Sequence, residues 1–320
     1  MPGLPAPARR GRLLAAGHRL HAAAAPLPDP RRRVSAGASP VLRFAPSPNG
    51  RLHLGHALSA LLNARMAARL GGRLLLRIED IDPVRSRPEL IEGIEEDLAW
   101  LGLRFAGATL RQSTRMEAYA EARDGLAASG LAYPCFCSRA VVAAAAGEGP
   151  PRDPDGSPLY PGTCRALPPE TRARRLAAGE AHVWRLDMAR ALEHAPGPHR
   201  IRVFDPDGCE EERDADPGRW GDAVIARRDV PTSYHLAVVL DDAAQEVSHV
   251  VRGADLEAAT DLHRLLQTLL GLDAPAYHHH PLVRGEDGEK LAKSRNAPAL
   301  ATLRAAGATP AELRARLGFE

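Results

Sequence analysis

The sequence predicts an α/β fold, a doubly wound parallel sheet with an insertion between its halves and a short helical C-terminal tail. Three observations carry that expectation. An apolar strand at Val41–Ala45 runs through a Pro- and Gly-containing turn into a helical period and then a second apolar strand, Arg73–Ile78. Strand, turn, helix, strand is the opening of a parallel sheet. A second set of apolar runs returns beyond residue 236, and the stretch between the two sets is polar and carries the cysteines.

Residues 1–40 hold seven Arg, seven Pro and a single acid, Asp29, with no hydrophobic period. An acid-poor, Arg-rich leader resembles a transit peptide, but prolines oppose the amphipathic helix that such a peptide needs. A disordered extension or an early start codon is the expectation, and the fold argument begins at 41. Val41–Ala45 reads as a buried strand, broken by Pro46, Pro48, Asn49 and Gly50. From Gly55, apolar residues recur at helical spacing through Leu58, Leu61, Leu62, Met66 and Leu70, and Gly71-Gly72 stops them. Arg73–Ile78 follows as a strand, ending in Glu79, Asp80 and Asp82, and helices are expected over Pro88–Leu101 and Ser113–Ser129. Residues 168–220 read as polar strands and turns inserted in the sheet. Leu236–Leu240 and Val247–Val251 return as buried strands, followed by a helix over 255–270 and a strand over 280–283. Thr309 caps a last helix begun by Pro310. The expected organisation is an extension (1–40), a first catalytic half (41–133), an insertion (134–225) with a metal subdomain at 134–165, a second half (226–283), and a loop with terminal helix (284–320).

Composition narrows the function classes. With 26% charged and 44% hydrophobic residues the chain is an ordinary globular one. No apolar stretch approaches the roughly 20 residues of a membrane span, so no membrane partner and a cytoplasmic location are expected. Net charge is +2, so any nucleic-acid contact must come from a local patch. The four cysteines, Cys135, Cys137, Cys164 and Cys209, are three clustered and one apart. That pattern fits a metal site in a reducing compartment better than a disulfide framework.

Cation usage is uneven. Of 42 Lys and Arg residues only Lys290 and Lys293 are lysines, in the run Lys290-Leu-Ala-Lys293-Ser. An ammonium on a flexible stem differs from a planar fork in following moving charge. At the first strand-to-helix turn stands Pro46-Ser-Pro-Asn-Gly-Arg-Leu-His53-Leu-Gly55-His56. In a doubly wound sheet this carboxyl-end crevice is where nucleotides bind. Imidazoles and free backbone N–H groups at a helix start can donate to phosphate oxygens, and Gly55 permits close approach.

Together these two motifs resemble the HIGH and KMSKS signatures of the class I aminoacyl-tRNA synthetases. Arg77-Ile-Glu-Asp-Ile-Asp82, Tyr234-His-Leu-Ala-Val-Val-Leu-Asp-Asp242 and Val251-Arg-Gly-Ala-Asp255 are similar to stretches of the glutamyl branch of that class. The resemblance covers about residues 41–320 and implies a Rossmann-like catalytic domain that joins an amino acid to ATP. In it His53, His56, Lys290 and Lys293 would be catalytic, with Pro46, Ser47 and Gly55 also at the ATP, which Mg²⁺ normally accompanies. Arg43, Ala45, Ser47, Glu79, Tyr234 and Arg252 would bind L-glutamate: two carboxylates and an ammonium call for two cationic forks and an acid. The resemblance also implies one structural Zn²⁺ on Cys135, Cys137, Tyr160 and Cys164. Cys-x-Cys spacing by itself leaves three buried thiols open as an alternative. Consecutive histidines His278-His279-His280 point to opposite faces of a strand, which opposes a second metal site.

After Ser294 only 26 residues remain, against a full helical anticodon-binding domain in glutamyl-tRNA synthetases. The resemblance is therefore to their truncated paralogues, and no anticodon-binding domain is expected. It implies a monomer that activates glutamate without tRNA and esterifies it to queuosine at the wobble position of tRNA(Asp). Ala292 departs from the family pattern, where Ser or Thr is common. Two other readings stand beside this one: a truncated glutamyl-tRNA synthetase charging a tRNA 3′ end, and a non-catalytic, zinc-stabilised RNA-binding relic.

Overall fold

The computed structural model describes residues 39–283 and 298–319. The extension before residue 39 and the two lysines, Lys290 and Lys293, lie outside the described residues. The first half runs β1 (Val41–Phe44), α1 (Leu54–Arg69), β2 (Arg73–Ile78), α2 (Pro88–Trp100), β3 (Leu110–Arg111) and α3 (Met116–Ala128). β1 and β2 pair in parallel, Val41 opposite Arg73 and Phe44 opposite Leu76, and β3 adds to the far edge of β2. α1 starts at Leu54, one residue before the expected Gly55 and capped by His53, and stops as expected at Gly71, whose φ of 63° favours glycine. α3 starts three residues later than expected, because Gln112–Thr114 form a single 3₁₀ turn.

The insertion adds β4 (Ala132–Cys135), α4 (Arg139–Ala146), α5 (Pro169–Ala177), β5 (Val183–Leu186), α6 (Met188–His194), β6 (Arg200–Phe204), β7 (Glu210–Asp214) and β8 (Val224–Ala226). β4, β5 and β8 form a separate antiparallel sheet. β6 and β7, although inside 134–225, join the main layer through β6, which runs parallel to a strand of the second half.

That half comprises α7 (Tyr234–Ala244), β9 (His249–Gly253), α8 (Ala259–Leu269) and β10 (Ala276–His280), and the tail adds α9 (Leu300–Ala305) and α10 (Pro310–Arg316). Its strands lie in the order β7-β6-β10-β9, with β9 and β10 in parallel register from Ala276↔His249 to His280↔Gly253. β1 and β9 lie side by side at the centre. The Ser248 amide donates to the Val41 carbonyl at 3.0 Å, and Val41 and Val250 share one apolar cluster. No ladder continues toward their carboxyl ends, and the crevice expected at a strand-order reversal opens there. The tail packs on the first half, with Leu300 and Leu313 buried among Ile94, Leu98 and Leu101. Thr309 and Glu312 cap α10 reciprocally behind Pro310, as expected. Among the described residues no helix is long and apolar enough to cross a membrane.

Three sequence expectations are corrected. Residues 168–220, expected as strands and turns, also hold helices α5 and α6. Leu236–Leu240 is the middle of helix α7, not a strand. The run is apolar because α7 is buried on almost every side, Leu236 to Val239 all at 2% exposure or less. A short apolar run of that kind carries no period to separate helix from strand. Ser233, accepting from the Leu236 amide, is the capping signal that marks the helix start. The last parallel strand is 276–280 rather than 280–283, because polar His278 and His279 fill a half-buried strand. α7 is held to α3 by the fully buried Asp241, which accepts from Gln112 Nε2 (2.7 Å), Arg115 Nε (2.6 Å) and Tyr119 Oη (2.8 Å). Replacing Asp241 by Leu strands three donors. Unfolding in urea should show a loss of about 3 kcal/mol.

Candidate active site

The His53–His56 turn is built by its own side chains. His53 Nδ1 accepts from the Gly55 amide at 3.1 Å, and His56 Nδ1 accepts from the His53 amide at 3.2 Å, closing a capping box at the start of α1. Each Nδ1 is thereby an acceptor, so each neutral ring carries its proton on Nε2, the edge turned away from the backbone. Burial lowers the pKa of both rings. Burial and then the neighbouring His53 take His56 to about 3. The pair is therefore two neutral donors 3.9 Å apart by ring centroid. A Cβ on Gly55 would meet the His53 ring at 3.0 Å and press it a few tenths of an ångström from its place.

The opposite wall is ionic. Asp242 on α7 accepts from Arg43 Nε of β1 at 3.0 Å and from Arg77 Nη2 of β2 at 2.6 Å, all three side chains nearly fully buried. Arg77 also lies 3.8 Å from Glu79, whose side chain is 8% exposed. Burial raises the Glu79 pKa to about 6, against the opposing pull of Arg77 and Arg43. Arg252 at the end of β9 is 5% exposed. It donates to Thr260 Oγ1 (2.7 Å), His279 Nε2, His263 Nδ1 and Tyr234 Oη (3.3 Å each). All four are neutral, and among the described residues none of its hydrogen-bond partners is a carboxylate.

One cavity of about 700 Å³ joins these walls. Arg43, Ala45, Pro46, Ser47, His53, Gly55, His56, Glu79, Tyr234 and Arg252 all line it, so the described residues that the sequence assigns to ATP and glutamate fall in a single space. Arg43 reaches it with one edge already committed to Asp242. The lining also includes Asn49, Arg51, Asp255 and His280, to which no role was assigned.

The cysteines assemble separately. The sulfurs of Cys135, Cys137 and Cys164 lie within 4.8 Å of one another, the one such donor cluster among the described residues. The Tyr160 hydroxyl is 3.4 Å from Cys137 Sγ and accepts from the Cys164 amide at 2.8 Å. Burial disfavours the Cys164 thiolate, but hydrogen bonds from Tyr160 and the Phe136 amide outweigh it and lower its pKa. Tetrahedral zinc holds sulfurs about 3.8 Å apart, which this set accommodates. Cys209 is exposed and takes no part. His278 and His279 diverge as expected, toward the Phe204 carbonyl and toward Arg252. Arg228 donates to the Cys137 carbonyl at 2.8 Å.

A family model described as tRNA synthetases class I (E and Q), catalytic domain, matches residues 41–317. The chain belongs to that family. Among curated relatives, the Glutamyl-Q tRNA(Asp) synthetase of Rhodobacter capsulatus is 47% identical, over 87% of this chain and 100% of its own. That of Symbiobacterium thermophilum is 42% identical, over 87% and 85%. Among solved structures, a glutamate tRNA ligase from Elizabethkingia meningosepticum, in complex with its amino acid, has a TM-score of 0.64 at 27% identity. It is matched over 85% of this chain and 54% of its own, so this class I synthetase spans about half the length of that ligase.

Residues that sequence reading of this synthetase left without a role have one shared signal. Thr260 and His263 are three apart on α8, and His235 follows Tyr234, so the partners of Arg252 sit on helix faces turned toward one another. Glu79 carries a stability cost that pH exposes. Its folded pKa lies above the ordinary value of 4.5, so its burial costs nothing while protonated and destabilises as pH rises through about 6. Glu79→Gln should stabilise the free protein at pH 8 by about 1–2 kcal/mol, and the gain should vanish near pH 4.5, read by thermal unfolding.

Proposed function

We propose that the protein activates L-glutamate with ATP, without tRNA, and passes the glutamyl group to queuosine at the wobble position of tRNA(Asp). The observation that carries this reading is the buried, carboxylate-free Arg252 sharing one cavity with Arg43, Glu79 and the two neutral histidines. An amino acid with a second carboxylate fits that charge pattern, since anions satisfy the arginines and its ammonium satisfies Glu79. The name of the relatives supplies the acceptor.

In the first step the α-carboxylate of glutamate attacks the α-phosphorus of ATP and the bond to pyrophosphate breaks. Little covalent work falls to the protein, and positioning with charge stabilisation dominates. His53 and His56 offer Nε2–H donors to the triphosphate, with Pro46, Ser47 and Gly55 lining its path. Ser47, Ala45 and Tyr234 flank glutamate beside Arg43, Glu79 and Arg252. Lys293 and Lys290, outside the described residues, are assigned to the departing pyrophosphate. Mg²⁺ accompanies ATP. In the second step a hydroxyl of the queuosine cyclopentene diol attacks the glutamyl carbonyl and AMP leaves.

The test supplies ATP, Mg²⁺ and labelled glutamate with tRNA from cells that make or lack queuosine. Label should stay only on queuosine-containing tRNA(Asp), and equal labelling of both pools would refute the assignment. The thiol set is assigned to a structural Zn²⁺ held by Cys135, Cys137 and Cys164, with Tyr160 as fourth ligand. Metal analysis should find about one zinc per chain, and its chelation should lower the unfolding midpoint by several degrees. Protein purified metal-free with an unchanged midpoint would remove that assignment.

A further inference from the structure

Arg252 is supported by a chain of two histidines, one buried and one half-buried, that the activation chemistry does not use. A guanidinium only donates, so His263 Nδ1, 3.3 Å from Arg252 Nη1, must be an acceptor. Its proton then sits on Nε2, which lies 3.1 Å from His235 Nδ1 and donates to it. The relay runs Arg252 → His263 → His235 and has one direction. His263 is 1% exposed. On the other side Thr260 Oγ1 accepts from Arg252 at 2.7 Å, and its hydroxyl lies 3.1 Å from His279 Nε2. Of the five guanidinium N–H groups, four are directed to Tyr234, His263, Thr260 and His279, and among the described residues the second N–H on Nη2 has no partner.

We infer that His263 and His235 are positioning residues for amino-acid recognition, orienting Arg252 with neutral acceptors so that its charge and fifth N–H stay available to a substrate carboxylate. A carboxylate at position 263 would orient the fork at least as firmly, but it would neutralise the charge the ligand needs. Burial keeps the relay neutral, with the Arg252 charge adding to it. His235 is lowered to about 4, and His263 is held well below the ordinary imidazole range. A cation on His263 would face Arg252 directly, and one on His235 would reverse the relay at its outer end.

The inference rests on the glutamate-activating reading and names residues that it leaves out. The test is glutamate-dependent pyrophosphate exchange without tRNA, with KM measured for glutamate and ATP separately, and thermal unfolding of each variant. His263→Gln, with an amide that both accepts and donates, should keep the glutamate KM within about threefold. His263→Leu should raise it about tenfold with the ATP KM unchanged, the size of one lost hydrogen bond to a charged group. His263→Glu should raise it about a hundredfold while unfolding no earlier than the Leu variant. His235→Leu, at the half-buried outer end of the relay, should give a smaller rise in the same direction and serves if the His263 variants fail to fold. A Glu variant that binds glutamate as well as the Gln variant would overturn the inference. So would ATP and glutamate KM values that move together. Absence of glutamate-dependent exchange in the unaltered protein would instead sink the activation reading itself.

Discussion

The carboxylate of Asp242 is the joint of the molecule. It lies on α7, far along the chain, yet it receives Arg43 from β1 and Arg77 from β2 at 3.0 and 2.6 Å. Two guanidiniums in a nearly dry interior would repel each other without it. With it, the first two strands are clamped to a helix of the second half, and the crevice between the halves acquires one rigid wall. Glu79 stands two residues beyond Arg77, and Tyr234 begins the helix that carries Asp242, so both take their positions from the same joint. Burial would push the Asp242 pKa up, but Arg43 and Arg77 overcome it and hold the carboxyl below its ordinary range.

Around that joint the cavity is left electrically unfinished. Among the described residues Arg252 has neutral hydrogen-bond partners only, and Glu79 is held in an environment that opposes its ionised form. Neither arrangement maximises the stability of the empty protein. Both become favourable when an ammonium and a carboxylate arrive together, which is how a site turns folding free energy into selectivity. The histidine pair at α1 differs, since its charge is suppressed and it contributes oriented dipoles.

What the sequence disclosed follows the distance over which each feature is encoded. The His53–His56 turn closes within four residues and the α10 cap within four, so both could be read directly. The thiols are separated by at most 29 positions but are chemically rare, and their proximity was legible for that reason. Helix α7 was misread because its burial erased the polar face that marks a helix. The Arg43–Asp242 contact spans 199 positions, and the role of Thr260 and His263 depends on how α8 packs over β9. Nothing local encodes either. Strands β1, β2 and β9 of the parallel layer are visible as apolar runs, whereas β10 is obscured by its histidines and β7 by its charged, edge-strand composition.

Each imidazole at the start of α1 is used on both edges. The inner nitrogen belongs to the fold, completing the first turn of a helix, and both rings line the cavity. Structure and chemistry are thus soldered into one ring, five atoms across. A side chain with a single polar group can inherit one duty or the other. Under the proposed function, a change at position 53 or 56 is penalised twice, and the two penalties cannot be repaired by the same second change.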